Sequence, residues 1–138
     1  MNDLHQIKSE RYLAGQAKFK EVIGFDAENF TASLDDIAPR LARYVMEWEF
    51  ADMIGESSLN AHTREVVAIS SLAMLGASAT AILKLRIGTA LLAGVTREEI
   101  IDVFVQLSLA AGLPIALSAI HLAKEKFSEI DSAPTPAA

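Results

Sequence analysis

No cysteine occurs among the 138 residues of this chain. That absence removes disulfides, thiolate metal sites, Cys-x-x-Cys redox chemistry and cysteine nucleophiles together. Aromatic residues are few, at 7% with a single Trp and two Tyr. Charged residues make up only 22%, and 12 basic against 18 acidic side chains leave a net charge of −6. Lys and Arg form no cluster, so no nucleic-acid partner is expected. The three histidines, His5, His62 and His121, lack the spacing of paired ligands on one helix face, so no metal site is expected. Neither a Gly-rich phosphate loop nor a Gly-x-Ser-x-Gly elbow is found. The first residues lack the charged-then-apolar layout of a signal peptide, which makes the cytoplasm the expected compartment.

What the chain does have is apolar surface, with 51% of residues hydrophobic. None of it alternates with period two, so the reading is helix throughout, with Gly and Pro at the joints. Six helices are predicted, besides one short piece. The first covers about Asp3–Ile23 and stops at Gly24, and a short piece follows in Asp26–Phe30. Ser33 with Asp36 three residues on resembles a capping box and opens a helix to Ile54, with Pro39 inside it as a kink. Asn60 caps a helix ending near Gly76. Ser78 or Thr80 caps the next, which ends at Ala93 with Gly94 in the left-handed position beyond it. Thr96 with Glu99 forms a second box and opens a helix to Ala111. Pro114 sits in the first turn of the last helix, which runs to Ile130. One all-helical domain, residues 1–130, and a frayed tail, 131–138, are expected.

Two uncharged runs, Val66–Leu83 and Val103–Ile120, approach the roughly 18 residues that raise the question of a membrane span. The hydroxyls of Ser70, Ser71, Ser78 and Thr80 and the break at Gly112-Leu-Pro114 argue against it, and no membrane partner is expected. Helices apolar on nearly every side need neighbours on nearly every side. In a chain this short those neighbours come from other copies, so a homo-oligomer is expected.

Three fragments in order then resemble one family. Leu59-Asn-Ala-His-Thr-Arg-Glu-Val-Val67 is similar to the Thr-Arg-Glu helix start of the carboxymuconolactone decarboxylase-like (alkylhydroperoxidase-D-like) family. Leu83-Lys-Leu-Arg-Ile-Gly-Thr-Ala-Leu-Leu-Ala-Gly-Val-Thr-Arg-Glu-Glu-Ile100 resembles its most recognisable segment. Gly112-Leu-Pro-Ile-Ala-Leu-Ser-Ala119 resembles its Gly-x-Pro turn. The resemblance spans about residues 51–127. It implies a small all-α, six-helix fold, assembled as a trimer or hexamer. It also implies a departure, because Arg86 stands where the family keeps a histidine, and Ala79 and Ile82 stand where its redox branch keeps cysteines. Thiol peroxidase chemistry is thereby excluded, having no thiolate to attack a peroxide. Arginine stays charged and is no ordinary general base.

The chemistry therefore centres on Arg86. Its planar fork suits a carboxylate or an enolate. Equally, a structural Arg86 pairs with a buried Glu, because an isolated charge among Leu83, Leu85, Ile87 and Ala90 is costly. Arg64 and Glu65 match the family motif, Arg64 as a second anion contact or a structural pair, Glu65 as a proton carrier. Glu47 and Glu49 point about 200° apart on a helix, so only one of them can face a site. Glu49 is taken as the inward one, beside Trp48, which with Tyr44 has the spacing of a core residue. His121 is a candidate to supply the missing imidazole. The expected reading is an enzyme that needs no cofactor and acts on a small anionic or carbonyl-bearing metabolite. Arg86, Arg64 and Trp48 hold the substrate, and Glu49, Glu65 and His121 move protons. The alternative is a non-catalytic oligomeric binding or scaffold protein.

Overall fold

A computed structural model of the chain describes residues 8–134. The expected first turns from Asp3, His5 and the last residues of the tail lie outside that range. All regular structure among the described residues is helical, as composition and pattern require. The chain divides into two compact units, Met1–Leu59 and Asn60–Ala138.

The first unit begins with α1, Glu10–Ile23. Ser9 caps it, accepting from the Tyr12 N–H at 3.0 Å. Gly24, at φ 95°, ends it and returns its N–H to the Lys20 carbonyl. A short α2, Glu28–Thr31, follows. The box expected at Ser33 does not form, because the Ser33 hydroxyl donates back to the Phe30 carbonyl at 2.8 Å. The helix starts instead with Pro39 in its first turn, as α3, Pro39–Tyr44. There the missing N–H costs nothing, so Pro39 begins the helix rather than kinking it.

Val45–Ile54 continues α3 as a π-helix. The wider turn matters for its faces. Ala42, Met46, Phe50 and Ile54 recur every four residues and are all buried. Met46, Phe50 and Ile54 pack with Phe19, Val22 and Ile23 of α1. The Phe19 ring lies 4.8 Å from that of Phe50, centroid to centroid. Trp48 sits two residues from both Met46 and Phe50, on the opposite side. It is 61% exposed and Tyr44 46%, which corrects the expectation that they belong to the core. Arg11 clasps this helix from α1, pairing with Asp52 and with Glu47 at 3.3 Å.

In the second unit, α4 spans Ala61–Ala73. Asn60 caps it as expected, accepting from the Thr63 N–H at 2.8 Å. A 3₁₀ turn, Gly76–Ala79, leads into α5, Thr80–Leu92. Neither Ser78 nor Thr80 caps α5; the Thr80 hydroxyl donates to the Ala77 carbonyl of that turn at 3.1 Å. Gly94 takes the left-handed conformation at φ 90°. The Thr96–Glu99 box forms with both of its bonds and opens α6, Arg97–Ala111. Finally α7 runs from Leu113 to Ser132, with Pro114 in its first turn. It outlasts the expected end because the Arg97 fork holds Asp131 at 2.7 and 3.0 Å.

The core of this unit takes Ile69 and Ala73 from α4, Leu83, Ile87 and Ala90 from α5, Ile100 and Phe104 from α6, and Ala119 and Ala123 from α7. Among the described residues no helix is long and apolar enough to cross a membrane.

Two predictions arise. A Cβ on Gly15 of α1 would lie 1.9 Å from the Met46 carbonyl oxygen, which is backbone and cannot swing aside. Gly15→Ala should therefore destabilise the protein by about 1–3 kcal/mol, as overpacked sites do, and chemical denaturation measures it. The second concerns the α6 cap. Glu99 accepts from Thr96 N and pairs with His62 at 2.8 Å. The His62 bond, and then the backbone bond, lower its pKa. A lowered carboxylate contributes stability above its ordinary range and loses it as pH falls through the folded value. The Tm advantage of the native chain over Glu99→Gln should thus be present at about pH 6 and diminish progressively as the pH falls through and below the ordinary glutamate range. Exposure keeps that advantage small.

Candidate functional site

The periodicity of α4 places Glu65, Ile69 and Ala73 on one buried stripe. Likewise Leu83, Arg86, Ile87 and Ala90 face inward on α5. Each stripe therefore carries one charged residue into apolar surroundings, and the packing of α4 against α5 brings the two together. Glu65 is 1% exposed and Arg86 6%.

Arg86 grips the carboxylate with two arms. Its Nη2 donates to Glu65 Oε1 at 3.0 Å and its Nε to Oε2 at 3.4 Å. Such a bidentate pair fixes direction as well as distance. The Thr89 hydroxyl, buried one turn further along α5, lies 3.0 Å from Glu65 Oε2 and 3.0 Å from the Arg86 carbonyl. Its single proton serves one of them at a time. Thr89 did not figure among the candidates from the sequence. Its signal was there all the same: Thr89 is three residues from Arg86, on the same side of the helix.

Arg64 occupies the neighbouring position on α4. Its Nε is buried and has no hydrogen-bond partner among the described residues. A buried donor left in that state costs about 1–3 kcal/mol, more for a charged group.

His121 is placed elsewhere. It lies on α7 at the rim of a cavity of about 220 Å³ lined mainly by α5 and α7, with Leu83 and Ala119 in its floor; neither Arg86 nor Glu65 lines it. Glu49 and Trp48 belong to the π-helix of the first unit, Glu49 half-buried and Trp48 exposed. Of the six site residues read from the sequence, Arg86 and Glu65 are thus in direct contact, and Arg64 adjoins Glu65 along the chain. His62 ties α4 to the α6 cap through Glu99.

A small helical unit with an arginine–glutamate pair buried where a signature helix enters its core defines a class of protein more than a reaction. The sequence pattern of the carboxymuconolactone decarboxylase family matches residues 39–125, and the chain belongs to that family. The match reaches back to Pro39, so it takes in the whole π-helix. The chain is 29% identical over 135 residues to a 4-carboxymuconolactone decarboxylase of Acinetobacter baylyi, covering 97% of this chain and 96% of that protein. It is 28% identical over 99 residues to an uncharacterised 15.0 kDa protein of Paracoccus denitrificans, covering 72% of this chain and 74% of that one.

The energetics of the pair can be measured by a double-mutant cycle. Arg86→Met or Glu65→Leu alone leaves the other charge buried and should cost about 3–5 kcal/mol. The double replacement should cost less than either, since apolar side chains of like volume can replace a buried pair at little loss. Urea denaturation of the four proteins reads the coupling directly.

Proposed function

We propose that this chain is a cofactor-independent enzyme acting on a small metabolite that carries a carboxylate or carbonyl group, by decarboxylation, lactone chemistry, isomerisation or cyclisation. The observation that carries the reading is the buried Arg86–Glu65 pair. Buried ion pairs add little stability over apolar packing. A core that nevertheless holds one is organised around charge, and a fixed guanidinium is suited to stabilise negative charge as it develops on a substrate. The near full-length likeness to a 4-carboxymuconolactone decarboxylase supports the same class of chemistry.

In this reading Arg86 holds the anion and Glu65 orients Arg86. Arg64, with its orphan donor, supplies a second cationic contact. A homo-oligomer, trimer or hexamer, belongs to the proposal as well. It is supported by Leu92, Leu109, Leu113 and Leu117, which are 71%, 95%, 76% and 55% exposed. Large apolar side chains exposed to this degree mark surfaces that other proteins cover when they lie together.

The test is turnover of 4-carboxymuconolactone by the native chain, Arg86→Ala and Arg86→Lys, with size-exclusion chromatography on each. The native chain should consume the lactone. Arg86→Ala should lose about 100-fold or more in kcat/KM without changing its assembly state, and Arg86→Lys should recover only part. The second reading, a non-catalytic oligomeric binding or scaffold protein, is favoured by one feature: Glu65 already neutralises Arg86 from within the core. No turnover by the native chain, together with dissociation of the Arg86→Ala assembly, would establish that reading instead.

A further inference from the structure

The cavity beside His121 is separate from the Arg86–Glu65 pair and has the make-up of a ligand site. Its floor is apolar, built by Leu83, Ala119 and Leu122, while Thr80, Ser118 and His121 contribute polar groups. Ser118 and His121 are three residues apart on α7, so they rise from the same side of that helix. Apolar walls with a few convergent polar groups are the usual design of a small-molecule pocket.

Size and charge narrow the occupant. The volume is about 220 Å³. A cavity of about 150 Å³ takes one benzene ring, so there is room for a ring and a small head. The Ser118 hydroxyl and the His121 imidazole between them both donate and accept. The Thr80 hydroxyl gives its proton to the Ala77 carbonyl and is left as an acceptor. The charged side chain in its lining is a carboxylate, that of Glu125, which Lys84 holds at 2.9 Å. An anion therefore meets a carboxylate and no Lys or Arg in the lining, whereas an uncharged hydroxyl meets donors and acceptors.

We infer that this cavity is a second binding site, for a small uncharged molecule made of one ring and a hydroxyl head, with Ser118 and His121 bonding the hydroxyl. The site stands apart from the proposed enzyme activity, since neither Arg86 nor Glu65 lines it, and its test needs no turnover.

Phenol is the probe, with benzoate and toluene as controls. The His121 ring signal, assigned by its loss in His121→Asn, is followed by NMR in the full chain. Phenol should shift it along a saturable curve. Toluene, lacking the hydroxyl, and benzoate, carrying a charge, should each need several times the concentration. Ser118→Trp, at an exposed position on the cavity lining, should abolish the shift while circular dichroism stays native. Ser118→Ala, a milder change that removes only the hydroxyl, should weaken phenol about five-fold, the worth of one hydrogen bond. A shift that never saturates, no shift at all, benzoate binding tighter than phenol, or a saturable shift unchanged in a natively folded Ser118→Trp would each overturn the assignment.

Discussion

Two opposite charges that leave water together constrain the second unit more than any apolar contact in it. A guanidinium or a carboxylate buried alone carries a desolvation penalty of several kcal/mol. Arg86 and Glu65 avoid it only if α4 and α5 meet with those two residues opposite, so the pair selects one register from the many that leucines and alanines would tolerate. Ile69 and Ala73 then follow on one stripe, Leu83, Ile87 and Ala90 on the other. Thr89 completes the arrangement by placing its hydroxyl on the same carboxylate. Apolar packing supplies most of the stabilisation, and the charges supply the specificity.

The first unit solves a different problem with backbone geometry. Its π-helix presents Met46, Phe50 and Ile54 in line with Ala42 of α3 and sends Trp48 to the other side, in line with Tyr44. Such segments are rare, and they frequently occur at functional sites. Here the segment lies within the part of the chain that matches the family and carries Glu47, Trp48 and Glu49. The contact of Gly15 with the Met46 carbonyl sets how near α1 can come. Helix ends elsewhere depend on small polar devices, and α7 is extended to Ser132 because Arg97 reaches across from α6 to Asp131.

Much of this was legible in the chain. The caps at Asn60 and Thr96, the left-handed Gly94 and the first-turn Pro114 depend on neighbours two to four residues away, and all appear as read. The expectation that Arg86 needs a carboxylate partner followed from its apolar flanks, and Glu65 meets it. The failures share a cause. Ser33, Ser78 and Thr80 have the chemistry of caps, but each spends its hydrogen bond elsewhere or lies beyond the helix start. Trp48 was assigned to the core by its spacing from Tyr44, whereas the opposite face, with Met46, Phe50 and Ile54, is the one that packs.

The sequence by itself determined the all-helical architecture, the exclusion of thiol chemistry and the family, because periodicity, residue type and motif order are properties of the chain alone. The tertiary structure decided the rest: that Arg86 is bound to Glu65, that Thr89 joins them, and that His121 opens onto a different cavity. Those outcomes turn on how far each helix is rotated about its axis where it packs. That rotation is fixed by the balance of burial and pairing over residues distant in sequence, which no local pattern records.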